Sequence, residues 1–188
     1  PMTSNWIATS QLEVIGDADG TGTTISFKPD AEIFEDINFN FETLEFRLRE
    51  MAFLNKGIRI LLEDKRTNKK REFHYEGGIK AFVQYINKNK TPIHDNIIYF
   101  ESQKEDCTVE LAMQYTENYS ENIFSFANNI NTQEGGTHLS GFKTALTRAI
   151  NDYSRKYGFL KEKDENLSGD DVREGVTAIL SVKLPEPQ

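Results

Sequence analysis

From Phe142 to Tyr153 the apolar residues Phe142, Ala145, Leu146, Ala149, Ile150 and Tyr153 recur at i, i+3, i+4, i+7, i+8 and i+11. That spacing places them on one face of an α-helix, and such a face is stable in water only when it is buried against another element. Segments of a different periodicity stand on either side. In "ENIFSFANNI" (residues 121–130), Ile123, Ser125 and Ala127 alternate with Phe124 and Phe126, the pattern of a sheet with two unlike faces, and "VTAILSVKL" (residues 176–184) is rich in β-formers. A long one-sided helix between two strands therefore has to pack on a sheet.

The remaining segments extend this plan. Phe41, Leu44, Leu48, Met51 and Ala52 recur at helical spacing over residues 41–55, with Arg47, Arg49 and Glu50 on the other side and Gly57 placed to end the helix. "IRILLED" and "KREFHYE" flank the charged "KRTNKK" and predict a hairpin. "EGGIKAFVQYINKNKTP" predicts a second amphipathic helix, with the stripe Ile79, Phe82, Val83 and Ile86 and a stop at Thr91-Pro92. "NIIYFES" and "CTVELAMQYT" are two more strands. Residues 11–27, "QLEVIGDADGTGTTISF", read as strand, Gly/Asp-rich turn and strand, broken by Lys28-Pro29. Residues 160–175 are polar and loop-like, with Ser168 a candidate N-cap. The sum is an α+β domain: a mixed or antiparallel sheet with long helices packed on it.

Composition narrows the function classes. A formal net charge of −8 argues against a generally basic surface, so any contact with DNA would come from a local patch or a lined cavity. The single cysteine, Cys107, excludes an intrachain disulfide and a Cys-rich zinc site; lying in the strand-like "CTVELAM", it reads as a small buried hydrophobe. No apolar stretch approaches the roughly 20 residues that span a bilayer, and no signal-peptide pattern is present, so the expected location is the cytoplasm.

On spacing alone the candidate sites are weak. "GTGT" at residues 20–23 is not followed by Gly-Lys-Ser/Thr and precedes a strand instead of a helix N-terminus, which favours a plain turn over a phosphate loop. Thr23 and Ile25 fall on one face of the strand that follows. His138 comes directly after Gly135-Gly136-Thr137, while His74 and His94 are distant and no zinc spacing exists. A sharp turn into the helix, with Thr137 as N-cap, is preferred to catalysis or metal binding. The acidic run 162–174 lacks the spacing of a calcium loop and reads as solvated.

Three segments carry a resemblance: Phe73 to His94, Ser120 to Tyr153 with its EGGTH-x-x-GFK, and Ser168 to Gln188 with its GDD-x-REG. They resemble the B-subunit family of bacterial DNA gyrase, within the type IIA topoisomerases, and "YEGGIKAF" favours gyrase over topoisomerase IV. The resemblance implies a ribosomal protein S5 domain 2-like transducer with a left-handed βαβ crossover over residues 31–188. Residues 1–30 would be the last strands of a GHKL-type ATPase domain. Thr23 and Ile25 would then edge the adenine pocket, in place of the plain turn. The family's ATP-binding and general-base residues lie upstream of residue 1, and its Gln-Thr-Lys loop lies beyond "LPEPQ". By resemblance, then, this chain holds no catalytic residue and no metal ligand, and alone it is expected neither to bind nor to hydrolyse ATP. The intact protein would use ATP and Mg2+, dimerise on ATP binding, join the gyrase A subunit in an assembly of two A and two B subunits, and negatively supercoil DNA. Gly135 to His138 would be framework, Lys143 and Arg148 would face the DNA cavity, and the fragment would be a monomer. The alternatives are a topoisomerase IV B-subunit fragment, which would decatenate, and a stand-alone S5-like interaction module.

Overall fold

The computed structural model describes residues 10–22 and 29–186. The chain divides into two compact units, residues 1–39 and 40–188. In the first, Asp30 organises a turn, accepting from the Glu32 amide through Oδ1 and from the Ile33 and Phe34 amides through its carbonyl. Residues 11–22, where the pattern predicts a strand and turn, form no strand, and Leu12, Val14 and Ile15 are almost fully exposed. Alternation supplies only one side of a strand; a ladder also needs a partner, and an isolated pair is marginal in water.

The second unit opens with helix α1 (Phe41–Leu54), which starts where Asn40 Oδ1 accepts the Thr43 amide at 2.8 Å. Strands β1 (Arg59–Asp64) and β2 (Lys69–His74) form an antiparallel hairpin with Arg59 opposite His74 and Asp64 opposite Lys69. Helix α2 (Gly78–Asn87) buries Ile79, Phe82 and Val83, as its stripe predicts. It ends before the expected Thr91-Pro92 stop, with the Lys90 amide turning back onto the Asn87 carbonyl.

Five strands form the main sheet: β3 (Ile98–Lys104), β4 (Cys107–Tyr115), β5 (Asn122–Ala127), β6 (Ile130–Asn131) and β7 (Val176–Lys183), in the order β3-β4-β7-β5-β6. The sheet is mixed: β7 runs antiparallel to β4 and parallel to β5. Between those parallel strands the chain passes through the long helix α3 (Thr137–Lys156) and the short α4 (Gly169–Arg173). Ser168 and Asp171 cap α4 reciprocally, each side chain bonding the other's amide.

β7 is buried from Val176 to Val182 and feeds both cores, because successive side chains leave opposite faces. Ile179 joins Phe53, Leu54, Phe82, Val83 and Phe126 under α1 and α2. Ala178 and Leu180 join Leu111, Met113, Leu146 and Val172 on the other side. The alternation predicted for β5 holds: Phe124 and Phe126 meet the first cluster and Ile123 the second.

Two helix faces differ from expectation. In α1 the buried residues include Phe53 and Leu54, while Met51 is exposed. In α3 the line Phe142, Leu146 and Ile150, spaced by four, meets the sheet, whereas Ala145, Ala149 and Tyr153 are exposed. A straight helix touches a twisted sheet along a narrow line, and the flank of the stripe here borders an apolar groove of about 390 Å³. Cys107 is half-buried, since it begins β4 and its neighbours end there.

Candidate nucleic-acid interface

The chain enters α3 through Gly135 and Gly136, with φ of 88° and 157°, a path that side-chain-bearing residues rarely take. Gly136, and not Thr137, is the N-cap, and no side chain caps this end. Thr137 is already helical, so its hydroxyl cannot play the capping role expected of it. His138 turns back: Thr132 Oγ1 donates to the Ser125 carbonyl (3.0 Å) and stands 3.1 Å from His138 Nε2. Burial pushes the His138 imidazole pKa down, favouring the neutral ring. Its polar partner is a hydroxyl that is itself bonded to the sheet, so the histidine ties the helix entry to β5. Among the described residues no group of three His, Cys, Asp or Glu could hold a metal, and no helix is long and apolar enough to cross a membrane.

Along α3 the polar side faces α4. Lys143, Arg148 and Arg173 all line one concave surface of about 510 Å³, together with Thr144, Thr147 and Asn151. Lys143 is only a third exposed and meets Glu121 in the segment before β5. Arg148 is 82% exposed, and its Nε stands 3.5 Å from Asp152 one turn later, a weak surface pair. Both sequence-predicted cations thus share the surface, in unequal states: one is paired and half-buried, the other projects into water.

Arg173, which lines this surface, and its partner Glu121 escaped the sequence reading. Arg173 donates through Nε to Glu121 Oε2 and through Nη2 to Asp170, each at 2.8 Å. Glu121 therefore bridges Lys143 and Arg173. Burial pushes its carboxyl up, but the hydrogen bonds and charges of the two cations outweigh that and hold it below its ordinary value. Glu121 and Arg173 are 52 positions apart, and no local pattern announces such a pair. A Cβ on Gly169 would come within 2.5 Å of the Arg173 guanidinium, so the glycine of GDD leaves room for this arginine to lie across the backbone.

The wall opposite is equally tied down. Asn151, buried within α3, donates to the Leu167 carbonyl (3.0 Å) and accepts the Leu167 amide (2.8 Å). Arg155 gathers the Lys161 and Asp164 carbonyls and Asn166 Oδ1. The loop expected to be merely solvated is pinned to the helix, giving the cations a fixed frame.

The architecture is that of solved gyrase B structures. The 43K ATPase domain of Thermus thermophilus gyrase B, solved with an aminocoumarin, superposes with a TM-score of 0.75 at 37% identity, over 86% of this chain and 44% of that one. The DNA gyrase B protein of Myxococcus xanthus gives 0.71 at 28% identity, over 84% of this chain and 43% of that one. The family profile for DNA gyrase B matches residues 78–188, and the chain belongs to that family. The DNA gyrase B protein of Clostridium acetobutylicum is 62% identical over 95% of the chain, and that of Bacillus mycoides 55% identical over 97%. The chain spans 28% and 46% of the lengths of these two relatives.

Proposed function

We propose that this chain is the transducer segment of a DNA gyrase B protein, which couples ATP binding and hydrolysis to gate closure and DNA strand passage. The observation that carries the reading is the 62% identity to a gyrase B protein over nearly the whole chain. In this reading residues 31–188 are an S5 domain 2-like transducer whose β5–α3–β7 unit is the left-handed crossover. Residues 1–30 are the last strands of the ATPase domain. Thr23 and Ile25, which lie outside the described residues, edge the adenine pocket. The intact protein binds ATP and Mg2+, dimerises on ATP binding and works with the gyrase A subunit on DNA in the cytoplasm.

The physical logic is mechanical. A central strand buried on both faces, with α1 and α2 packed on one side and α3 on the other, is a stiff body that moves as a unit. Cations on α3, Lys143 and Arg148, face the DNA cavity. Phosphate attraction there is local, as the acidic balance of the chain requires.

The test is a chimera in which this chain replaces the matching segment of the Clostridium acetobutylicum gyrase B protein, assayed with its A subunit. ATP-dependent supercoiling of relaxed plasmid is expected. Decatenation without supercoiling would favour the topoisomerase IV alternative, and inactivity of a folded chimera would reject the reading. The 188-residue chain itself carries no catalytic residue in this reading and is a monomer. Calorimetric titration with ATP and magnesium, with phosphate release followed in the same sample, should be silent in both signals. Saturable binding with turnover would mean the chain holds an active site of its own.

A further inference from the structure

The surface between α3 and α4 gathers three cations within one concavity, and a single carboxylate occupies two of them. Glu121 places one oxygen on Lys143 and the other 2.8 Å from Arg173 Nε. Arg148, on the same surface, makes a weak contact to Asp152 as its ion pair among the described residues. Glu121 itself keeps 31% of its side chain exposed, so it is not sealed away from water. A carboxylate that spans an ammonium and a guanidinium in this way presents two oxygens and one negative charge. A phosphodiester group offers the same, and arginine forks accept either anion.

We propose that Glu121 is a displaceable internal counter-ion: the backbone phosphate of double-stranded DNA takes its place on Lys143 and Arg173. Without DNA, Lys143 and the Nε side of Arg173 are held by Glu121, and exchange turns both toward the phosphate beside Arg148, while Arg173 Nη2 stays on Asp170. This rests on the reading of α3 as the DNA-facing helix. Exchange is physically reasonable because Lys143 and Glu121 are each about a third exposed, where a pair is worth little, and because the more buried Arg173, 15% exposed, keeps an anion throughout when a phosphate takes the carboxylate's place. It also reconciles two features: Lys143 lies where a phosphate contact is expected, yet it is already paired.

Binding of a short fluorescent duplex to the 188-residue chain, followed by anisotropy over a salt series, tests the exchange. Removing the competitor with Glu121→Gln is expected to tighten binding about threefold to thirtyfold, as the loss of one or two modest ion pairs allows. Glu121→Asp, which keeps the charge, should bring back most of the wild-type weakness. Lys143→Met in the otherwise wild-type chain should make the slope of log K against log salt shallower by about 0.9, one phosphate contact. A purely structural brace would leave that slope unchanged. An unaltered slope with Lys143→Met, or no tightening in a folded Glu121→Gln, overturns the exchange alone. If Glu121→Gln does not fold, the Lys143→Met slope still decides. Absence of binding by every variant at the lowest salt would overturn the exchange together with the DNA-facing assignment of α3.

Discussion

Gly175→Ala is expected to cost about 3–5 kcal/mol of stability, the sum of a left-handed backbone penalty and a collision with main chain. Gly175 has φ of +75°, and a Cβ there would stand 2.5 Å from the Thr116 carbonyl oxygen and 2.7 Å from that of Asn118. Both obstacles are backbone, so no side chain can swing aside. Nor can the backbone yield freely. The Thr116 amide donates to the Gly175 carbonyl at 2.9 Å, Thr116 Oγ1 donates to the same oxygen at 3.2 Å, and the next pair, Tyr115 opposite Val176, begins the β4–β7 ladder. Relieving the clash would pull the end of β4 from the start of the central strand. Urea unfolding followed by circular dichroism measures the effect as a lowered midpoint. A loss below about 1 kcal/mol would show that residues 116–118 move out of the way without strain, contrary to the geometry. Gly175, the last residue of the GDD-x-REG motif, is on this account a packing requirement between two strands.

Phe53→Ala is expected to have a loss of the same order, about 3–5 kcal/mol, typical of a large aromatic removed from a core that cannot collapse around the gap. Phe53 is 1% exposed and stacks on Tyr75 at 3.7 Å and on Phe82 at 4.7 Å between ring centroids. It is the point where α1 meets α2 and the end of the hairpin, so its loss removes partners from three elements at once. Phe53→Leu should recover much of the deficit, because volume matters more than ring chemistry once the site is sealed. Denaturant midpoints of the two variants check this. Equal stabilities for Phe53→Ala and the wild type would mean that the α1–α2 contact contributes nothing to folding.

These two residues also mark how far the amino-acid pattern reaches. The hairpin of β1 and β2, the buried stripe of α2, the two-faced β5 and the apolar β7 were all legible, because side-chain direction along a helix or strand follows from local periodicity. The capping box at Ser168 was half legible: the cap residue could be named, its partner Asp171 was not. Phe53 was missed because the spacing of apolar residues from Phe41 favours a stripe through Met51, while burial was settled by where Tyr75 and Phe82 arrive from other elements.

For the interface the division is sharper. Lys143 and Arg148 were nominated through a family resemblance, and the structure sets them on one surface while giving them different electrostatic states. Glu121 and Arg173 lay beyond reach because their meeting depends on α4 folding back beside the start of β5, a contact with no local signature. Local order of helices and strands was thus determined by the sequence alone, since hydrophobic periodicity and turn chemistry act over a few residues. Only the tertiary structure decided which flank of α3 stays open, which glycine cannot bear a side chain and which charges are paired. Each of those depends on the distance between atoms that chain connectivity leaves free, and a difference of about one ångström there separates a hydrogen bond from a collision.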